Sequence, residues 1–172
     1  MNIIYSDQYF DETKLTKLSV FLAGPTPRSQ LVESWRPKAI EYFKKYLTYD
    51  ANILIPERSD GKYTQNYDDQ VEWEDKGLNN VGTILFWVPR NKDTMPALTT
   101  NVEFGRFLEK RPGNLIYGRP DDAHSIKYLD WLYGKVKGQN AKELIFNDLE
   151  KMVEFVSKTF NIYSKFHNMT RK

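Results

Sequence analysis

The chain has 172 residues, of which 40% are apolar and 28% are charged, and its net charge is +2. This composition is typical of a globular protein and not of a disordered one. The length predicts a single domain over residues 1–172, with a core from about residue 18 to about residue 160 and short terminal extensions. The absence of cysteine excludes disulfides, thiolate metal ligands and a cysteine nucleophile.

The sequence also argues against an all-histidine metal site, a membrane and a nucleic-acid polymer as partners. Two histidines are too few for an all-histidine metal site. No run approaches the roughly 18 apolar residues of a membrane span, and the N-terminus lacks a secretory pattern, so we expect a cytoplasmic protein without membrane contact. Because the charge is nearly balanced and no basic stripe is present, we do not expect a nucleic-acid polymer as a partner.

Short apolar runs predict the strands. They lie at residues 18–23, 52–56, 83–88, 115–118 and, as a short fifth strand, 143–146. Helical spacing predicts helices at residues 34–46, 67–80, from 99 or 100 to 109, at 126–133 and from 147 onward. Because strands and helices alternate and the strands are continuously apolar, we expect a parallel sheet covered on both faces.

Polar side chains are predicted to cap several of these helices. Ser34 is placed to cap the first helix, and Asn147 the last, with Glu150 in capping-box register. Ligands of such sheets bind at the carboxyl ends of the strands, so the loops that follow the strands hold the candidate functional residues.

The first strand is followed by Gly24, Pro25, Thr26, a second proline and Arg28. This is neither a dinucleotide-binding glycine loop nor a P-loop. Gly24 permits close approach of the backbone to a ligand, and Arg28 suits a phosphate or a carboxylate. The alternative is a rigid proline turn with a solvated arginine.

The helix predicted after the second strand contains Gln70, Trp73, Glu74 and Asp75 among five acids in eight residues. Most of these acids are expected on a solvated face, because buried unpaired carboxylates are costly. Glu74 and Asp75 point about 100° apart on a helix, so at most one of them shares a face with Gln70.

The next helix begins near the carboxyl end of the central strand and contains Asn101 and Glu103. Thr100 and Glu103 fit a capping box, which is a structural explanation for the glutamate. A fixed carboxylate at this location also suits a nucleophile. After the fourth strand, residues 118–124 include Arg119, Asp122 and His124, which indicate either a helix cap with surface residues or a bound group.

Five segments in this order resemble the nucleoside 2-deoxyribosyltransferase-like family. They are residues 20–25, 70–74, 84–90, 99–105 and 118–124, and together they extend over most of the chain. The resemblance implies a flavodoxin-like, doubly wound α/β fold with three layers. It also implies cleavage of the N-glycosidic bond of a 2′-deoxynucleoside, with transfer of the deoxyribosyl group to another nucleobase or to water.

The resemblance also implies roles for individual residues. Glu103, the glutamate of a Glu-x-Gly turn opening a helix, corresponds to the nucleophile, and Glu74, or Asp75 by a one-residue slip, to the second acid. The resemblance implies that Gly24, Thr26 and Asn101 lie near the sugar and that Trp73 packs on the base. Pro25, Gln70, Asp122 and His124 are further candidate binding residues, and Arg28 or Arg119 would favour nucleotides over nucleosides if either binds a 5′-phosphate.

The implied chemistry needs no metal and no cofactor. Relatives complete each site with a neighbouring chain, so a homo-oligomer is implied, with Asp122 and His124 as candidate donors. The sequence departs from the family at Ala97, where some members carry a base-recognising aspartate. Two alternatives stay open at this point. One is hydrolysis of a deoxynucleoside or its 5′-monophosphate, and the other is a non-catalytic nucleotide-binding module on the same fold.

Overall fold

Five parallel strands form one sheet in the computed structural model, which describes residues 1–29, 31–138 and 143–169. In chain order the strands are β1 (Asn2–Tyr5), β2 (Ser19–Ala23), β3 (Asn52–Ile55), β4 (Thr83–Trp87) and β5 (Leu115–Gly118). They lie in the order β1-β3-β2-β4-β5, and each neighbouring pair is parallel. The predicted parallel sheet of about five strands is therefore confirmed.

The fifth strand is not the one that the sequence predicts. At residues 143–146, Glu143 and Leu144 lie in a 3₁₀ turn, and only Phe146 forms a bridge, with Gly118. The sheet instead gains its fifth strand at the opposite edge, where β1 pairs with β3. The apolar run of β1, Ile3 to Tyr5, is only three residues long, and Ile4 alone is buried, so its pattern is weaker than that of the central strands.

Helices cover both faces of the sheet. They are α1 (Arg36–Tyr46), α2 (Tyr67–Asn80), α3 (Leu98–Lys110), α4 (Lys127–Lys137) and α5 (Leu149–Met169). Buried side chains of α1 and α5 form one apolar cluster with the sheet, and those of α2, α3 and α4 form the other. The architecture is a three-layer αβα sandwich consistent with a flavodoxin-like fold, as expected. None of the described helices has the length and apolarity needed to cross a bilayer.

The two clusters explain why the central strands are continuously apolar. Val20 and Leu22 of β2 belong to the α1 and α5 cluster, whereas Phe21 and Ala23 belong to the other. Successive side chains of a strand point to opposite faces, so a strand covered on both faces buries every residue. All five residues of β2 are buried.

Two of the predicted helix caps are wrong. Helix α3 begins at Leu98, after Ala97 in the left-handed conformation (φ 58°) and without a side-chain cap. Thr100 is therefore inside the first turn, with its side chain buried, and the capping box with Glu103 does not form. Helix α5 begins at Leu149, and Asp148, not Asn147, accepts from a first-turn amide, that of Lys151.

Helix α1 begins at Arg36, two residues later than predicted, and Ser34 Oγ accepts from the Arg36 amide at 3.2 Å. Helix α2 has the predicted bounds and lies close to the sheet at Gly77. A Cβ on Gly77 would lie 2.7 Å from the ring of Phe21. A residue without a side chain is therefore required for α2 to pack at this distance from β2.

Candidate active site

A cavity of about 270 Å³ lies at the carboxyl ends of the central strands. Its lining comes from the loop after β2, from the residue after β3, from α2, and from residues 96–100 and Glu103 at the start of α3. The connection after β2 leads to β3 on one side of β2, and the connection after β3 leads to β4 on the other side. This is the topological switch point at which doubly wound sheets bind their ligands.

Two carboxyl groups from different helices meet in this lining. Glu74 of α2 and Glu103 of α3 are joined by a side-chain hydrogen bond. Gln70 Nε2, one turn before Glu74, donates to Glu74 Oε1 at 2.5 Å and to the Pro56 carbonyl at 2.8 Å. The amide therefore fixes the Glu74 carboxyl against the end of β3.

The surroundings favour the protonated forms of both acids. Burial raises the pKa of Glu74 above its ordinary value, against the opposing effects of Gln70, Arg36 and Glu103. Burial and the neighbouring charge of Glu74 raise the pKa of Glu103 to about 7. Because the two carboxyls interact, a single proton shared between them would relieve the repulsion of two adjacent carboxylates.

Asp75 faces away from this pair. Its Oδ1 accepts from Arg106 Nη1 at 2.5 Å, and its Oδ2 accepts from Asn79 Nδ2 at 2.9 Å. Asp75 does not line the cavity, whereas Glu74 does. Of the two acids that the sequence leaves open, Glu74 is thus the one that contacts Glu103.

The loop after β2 forms one wall of the cavity and turns at Gly24. The backbone φ of Gly24 is +140°, and a Cβ there would lie 2.0 Å from the Trp87 carbonyl oxygen at the end of β4. Only glycine fits this approach. Pro25, Thr26 and Arg28 continue the same wall.

Arg28 lines the cavity and its side chain is exposed. Its backbone amide donates to the Thr94 carbonyl at 2.9 Å, which ties the loop to the segment before α3. Within the described residues, no hydrogen bond or ion pair engages the Arg28 guanidinium. Its donors are therefore available to bind an anionic group.

A buried arginine that the sequence does not single out holds the same wall from behind. Arg36 donates to the carbonyl oxygens of Leu22 and Gly24 at 3.0 and 2.7 Å, and to Thr26 Oγ1 at 3.2 Å. It also pairs with Glu57 Oε1 at 2.5 Å. The one feature of the sequence that could have singled it out is its place at the start of a helix, where the helix dipole makes a positive charge unfavourable.

Two of the predicted binding residues are engaged elsewhere. Trp73 packs against the rings of Phe10 and Phe21, at centroid distances of 5.3 and 5.9 Å, and its Nε1 donates to the Gln8 carbonyl. Asn101 is exposed, and its Oδ1 accepts from the buried Arg90. Neither residue lines the cavity.

The predicted residues after β5 also lie outside this cavity. Arg119 pairs with Asp130 at 2.9 Å and lines a separate, larger cavity of about 670 Å³, which does not include the carboxyl pair. Asp122 and His124 are exposed, and His124 Nδ1 accepts from the Lys92 amide at 3.4 Å. The structure thus brings Gly24, Pro25, Thr26, Arg28, Gln70, Glu74 and Glu103 together within one chain.

No cluster of three or more histidine or acidic side chains that could hold a metal ion is present in the part of the chain that the structure describes. Fold and site together define a doubly wound α/β protein with a carboxyl pair at its switch point.

Residues 17–121 match the family model described as nucleoside 2-deoxyribosyltransferase like, and this segment contains the whole cavity lining. Since the match covers more than half of the chain, the protein belongs to the nucleoside 2-deoxyribosyltransferase-like family. No curated protein matches the chain. The family suggests deoxyribosyltransferase-like activity on a nucleoside substrate.

Proposed function

We propose that the protein cleaves the N-glycosidic bond of a 2′-deoxynucleoside and transfers the deoxyribosyl group to another nucleobase. The observation that carries this proposal is the hydrogen-bonded pair of Glu74 and Glu103 in the cavity at the switch point. Retaining glycosidases place their two carboxyl groups about 5–5.5 Å apart, and inverting ones about 6.5–9.5 Å apart to admit a water. The interaction of the two carboxyl groups, each of which shifts the pKa of the other, supports the closer arrangement, and with it a covalent intermediate.

In the first step, a Glu103 carboxylate oxygen attacks the anomeric carbon of the sugar. The C–N bond breaks through an oxocarbenium-like transition state, and its electron pair goes to the leaving base. The single proton of the pair, which Glu74 carries once Glu103 acts as the attacking carboxylate, passes from Glu74 to a nitrogen of that base. The products are a free base and a deoxyribosyl ester of Glu103.

In the second step, a nitrogen of an acceptor base attacks the same carbon. The ester bond to Glu103 breaks, and the Glu74 carboxylate takes the proton of the acceptor. Two inversions give net retention, and the pair regains its single proton. Water in place of the acceptor base would give hydrolysis with the same residues.

The test is chromatography of the purified protein after incubation with each 2′-deoxynucleoside, with and without a second free base. A new nucleoside is expected in the presence of the acceptor, and none with Glu103→Gln. Mass spectrometry of the intact protein should find the increment of one deoxyribosyl group on the wild type alone. Saturable binding without release of base would contradict the proposal and favour a binding module.

A second candidate substrate is the 2′-deoxynucleoside 5′-monophosphate. Arg28 supports it, because this residue lines the cavity and its guanidinium has no protein partner among the described residues. Arginine binds phosphate oxygens through paired N–H donors. The same chromatography with the monophosphates compares the two substrates, and free base without a new nucleotide would indicate hydrolysis.

We further propose that the protein acts as a homo-oligomer. Leu98 and Val102 are 65% and 72% exposed on α3 beside the cavity, and an apolar surface of this kind is suited to a neighbouring copy. Asp122 and His124 then serve the site of the neighbour. Mixing two inactive variants, Glu103→Gln and His124→Ala, should restore part of the activity if sites are shared between chains.

A further inference from the structure

We propose that Arg36 is a positioning residue of this site, which fixes the wall formed by Gly24 to Thr26 and sets the charge of the Glu74–Glu103 pair. This inference rests on the proposed function, because it concerns the same cavity. Arg36 does not line the cavity itself, so it acts through other residues.

A stability role alone does not account for this arginine. Its side chain is 1% exposed, and taking an ion pair out of water costs as much as the pairing returns, so an apolar replacement of similar volume is often neutral or stabilising. What the guanidinium supplies, and an apolar side chain cannot, is a fork of donors at fixed angles together with a permanent charge.

The donors of Arg36 point to the end of β2, to the wall of the cavity and to the counter-ion. Leu22 and Gly24 accept through their carbonyl oxygens, Thr26 accepts through its hydroxyl, and Glu57 accepts through its carboxylate. Ser34 Oγ donates to the same Glu57 oxygen at 2.7 Å. The wall that would contact the sugar is therefore fixed by a side chain behind it.

The Glu57 end of this ion pair connects to the carboxyl pair along a short path. The carbonyl of Pro56, the residue before Glu57, accepts from Gln70, and Gln70 also donates to Glu74. Glu74 in turn is hydrogen-bonded to Glu103. A shift of Glu57 would thus move the acceptor that orients Gln70.

The charge of Arg36 acts on both acids. It lowers the pKa of Glu74 and that of Glu103, in each case against the effect of burial. The other charged groups around the pair are Glu57 after β3, Arg28 in the loop after β2, and Arg106 on α3. Arg106 lowers the pKa of Glu103 as well, but it is half-exposed and already paired with Asp75.

The experiment uses opposite changes at the two ends of the ion pair. Arg36→Met removes the cation, and Glu57→Gln removes the anion that offsets it. The readout is the titration of the Glu74 and Glu103 carboxyls by carbon NMR, assigned with Glu74→Gln and Glu103→Gln. We expect the titration to move up by about one pH unit in Arg36→Met and down in Glu57→Gln, because a nearby opposite charge favours the ionised form.

Arg36→Lys and Arg111→Met complete the set. Arg36→Lys keeps the charge without the fork, so the titration should stay while kcat/KM falls by about 10²-fold, the cost of a small misplacement. Arg111 is also partly buried and donates to the carbonyls of Leu78 and Val81, at the other end of the sheet. Arg111→Met should change neither the titration of the pair nor the pH profile.

An unchanged titration in both Arg36→Met and Glu57→Gln would overturn the charge role, and unchanged kcat/KM in Arg36→Lys would overturn the role of the fork. If Arg36→Met does not fold, Glu57→Gln and Arg36→Lys still decide these two points. Failure of the wild type to turn over any nucleoside would contradict the proposed function, whereas the NMR titration would still test the action of Arg36 on the pair.

Discussion

Glu74 and Glu103 hydrogen-bond to each other from neighbouring helices, inside a cavity at the carboxyl ends of the central strands. Each carboxyl is partly buried, so the ionised form of one raises the cost of ionising the other. Such a pair therefore loses its last proton at a higher pH than an isolated carboxyl does. This relationship governs the first predictions.

Activity is predicted to fall as pH rises through about 7. The proposed reaction needs one proton on the pair, and the pKa of Glu103 is raised to about 7, so the pair loses the Glu103 proton above this value and less enzyme can protonate the leaving base. A profile of kcat/KM against pH checks this. Activity that stays constant from pH 6 to 9 would contradict the requirement for one proton on the pair.

Glu103→Gln is predicted to abolish turnover and to stabilise the protein at pH 8. The folded-state pKa of Glu103, about 7, lies above the unfolded value of about 4.3, so the native state holds a proton that the unfolded state has lost in between. The contribution of Glu103 to stability is therefore lost as pH rises through this window. Removing it should add up to about 3–4 kcal/mol at pH 8, at about 1.4 kcal/mol for each unit of pKa shift, and little at pH 4.

Denaturant unfolding at both pH values measures this difference. Glu109→Gln, an exposed acid on the same helix, is the matched control and should change stability by no more than about 0.5 kcal/mol. A loss of stability in Glu103→Gln at pH 8 would show that the carboxylate has a structural role instead.

Glu74→Gln and Asp75→Asn are predicted to separate the two adjacent acids. Loss of Glu74 removes the proton donor, so kcat should fall by about 10²–10⁴-fold, and the pKa of Glu103 should drop because a neighbouring negative charge is gone. Asp75→Asn removes the ion pair with Arg106 and alters the contact with Asn79, both outside the cavity, and its activity should stay close to that of the wild type. Steady-state kinetics of both variants would decide, and the reverse ranking would transfer the role to Asp75.

Gly24→Ala is predicted to destabilise the protein by at least about 2 kcal/mol, because it forces a left-handed backbone and a contact with the Trp87 carbonyl. Gly105→Ala is the control, since a Cβ there meets no neighbour and the residue lies within α3. It should stabilise by about 0.5–1 kcal/mol. Thermal melts of both variants test the contrast, and equal melting temperatures would contradict it.

Arg28→Gln is predicted to lower kcat/KM for a 2′-deoxynucleoside 5′-monophosphate by about 10-fold or more and to leave the unphosphorylated nucleoside nearly unchanged. The reason is that a charge-assisted bond to phosphate contributes about 1.5–3 kcal/mol. Arg119→Gln is the control, because Arg119 pairs with Asp130 outside this cavity. An equal loss on both substrates would remove the phosphate role from Arg28.

The fold was predictable where burial alone determines which residues of an element are apolar. Strands β2, β3 and β4 are covered on both faces and read as continuous apolar runs, and α2 has its predicted bounds. Strand β1 was missed, since this edge strand has an apolar run of only three residues and buries only one of them. The start of α3 was misplaced because Ala97 takes a left-handed conformation that its side chain does not signal.

The site was predictable only in part. Glu74 and Glu103 were found by resemblance to a family. Their contact could not be predicted, because it depends on how α2 and α3 pack, and residue spacing within one helix does not determine the packing of two. Arg36 was missed because its partners are chiefly backbone oxygens and one loop carboxylate, and these groups leave no motif. Trp73 was placed near the base, yet its apolar surface is used in packing against Phe10 and Phe21.

Gly77 sets the distance between α2 and the sheet, and this distance affects the chemistry of the site. Its missing side chain lets α2 lie against Phe21, and Glu74 is three residues earlier on the same helix. A single methyl group at position 77 would push α2 outward and lengthen the gap between Glu74 and Glu103. The acidity of the pair is thus tied to the thickness of the αβ interface, at a residue remote from any substrate.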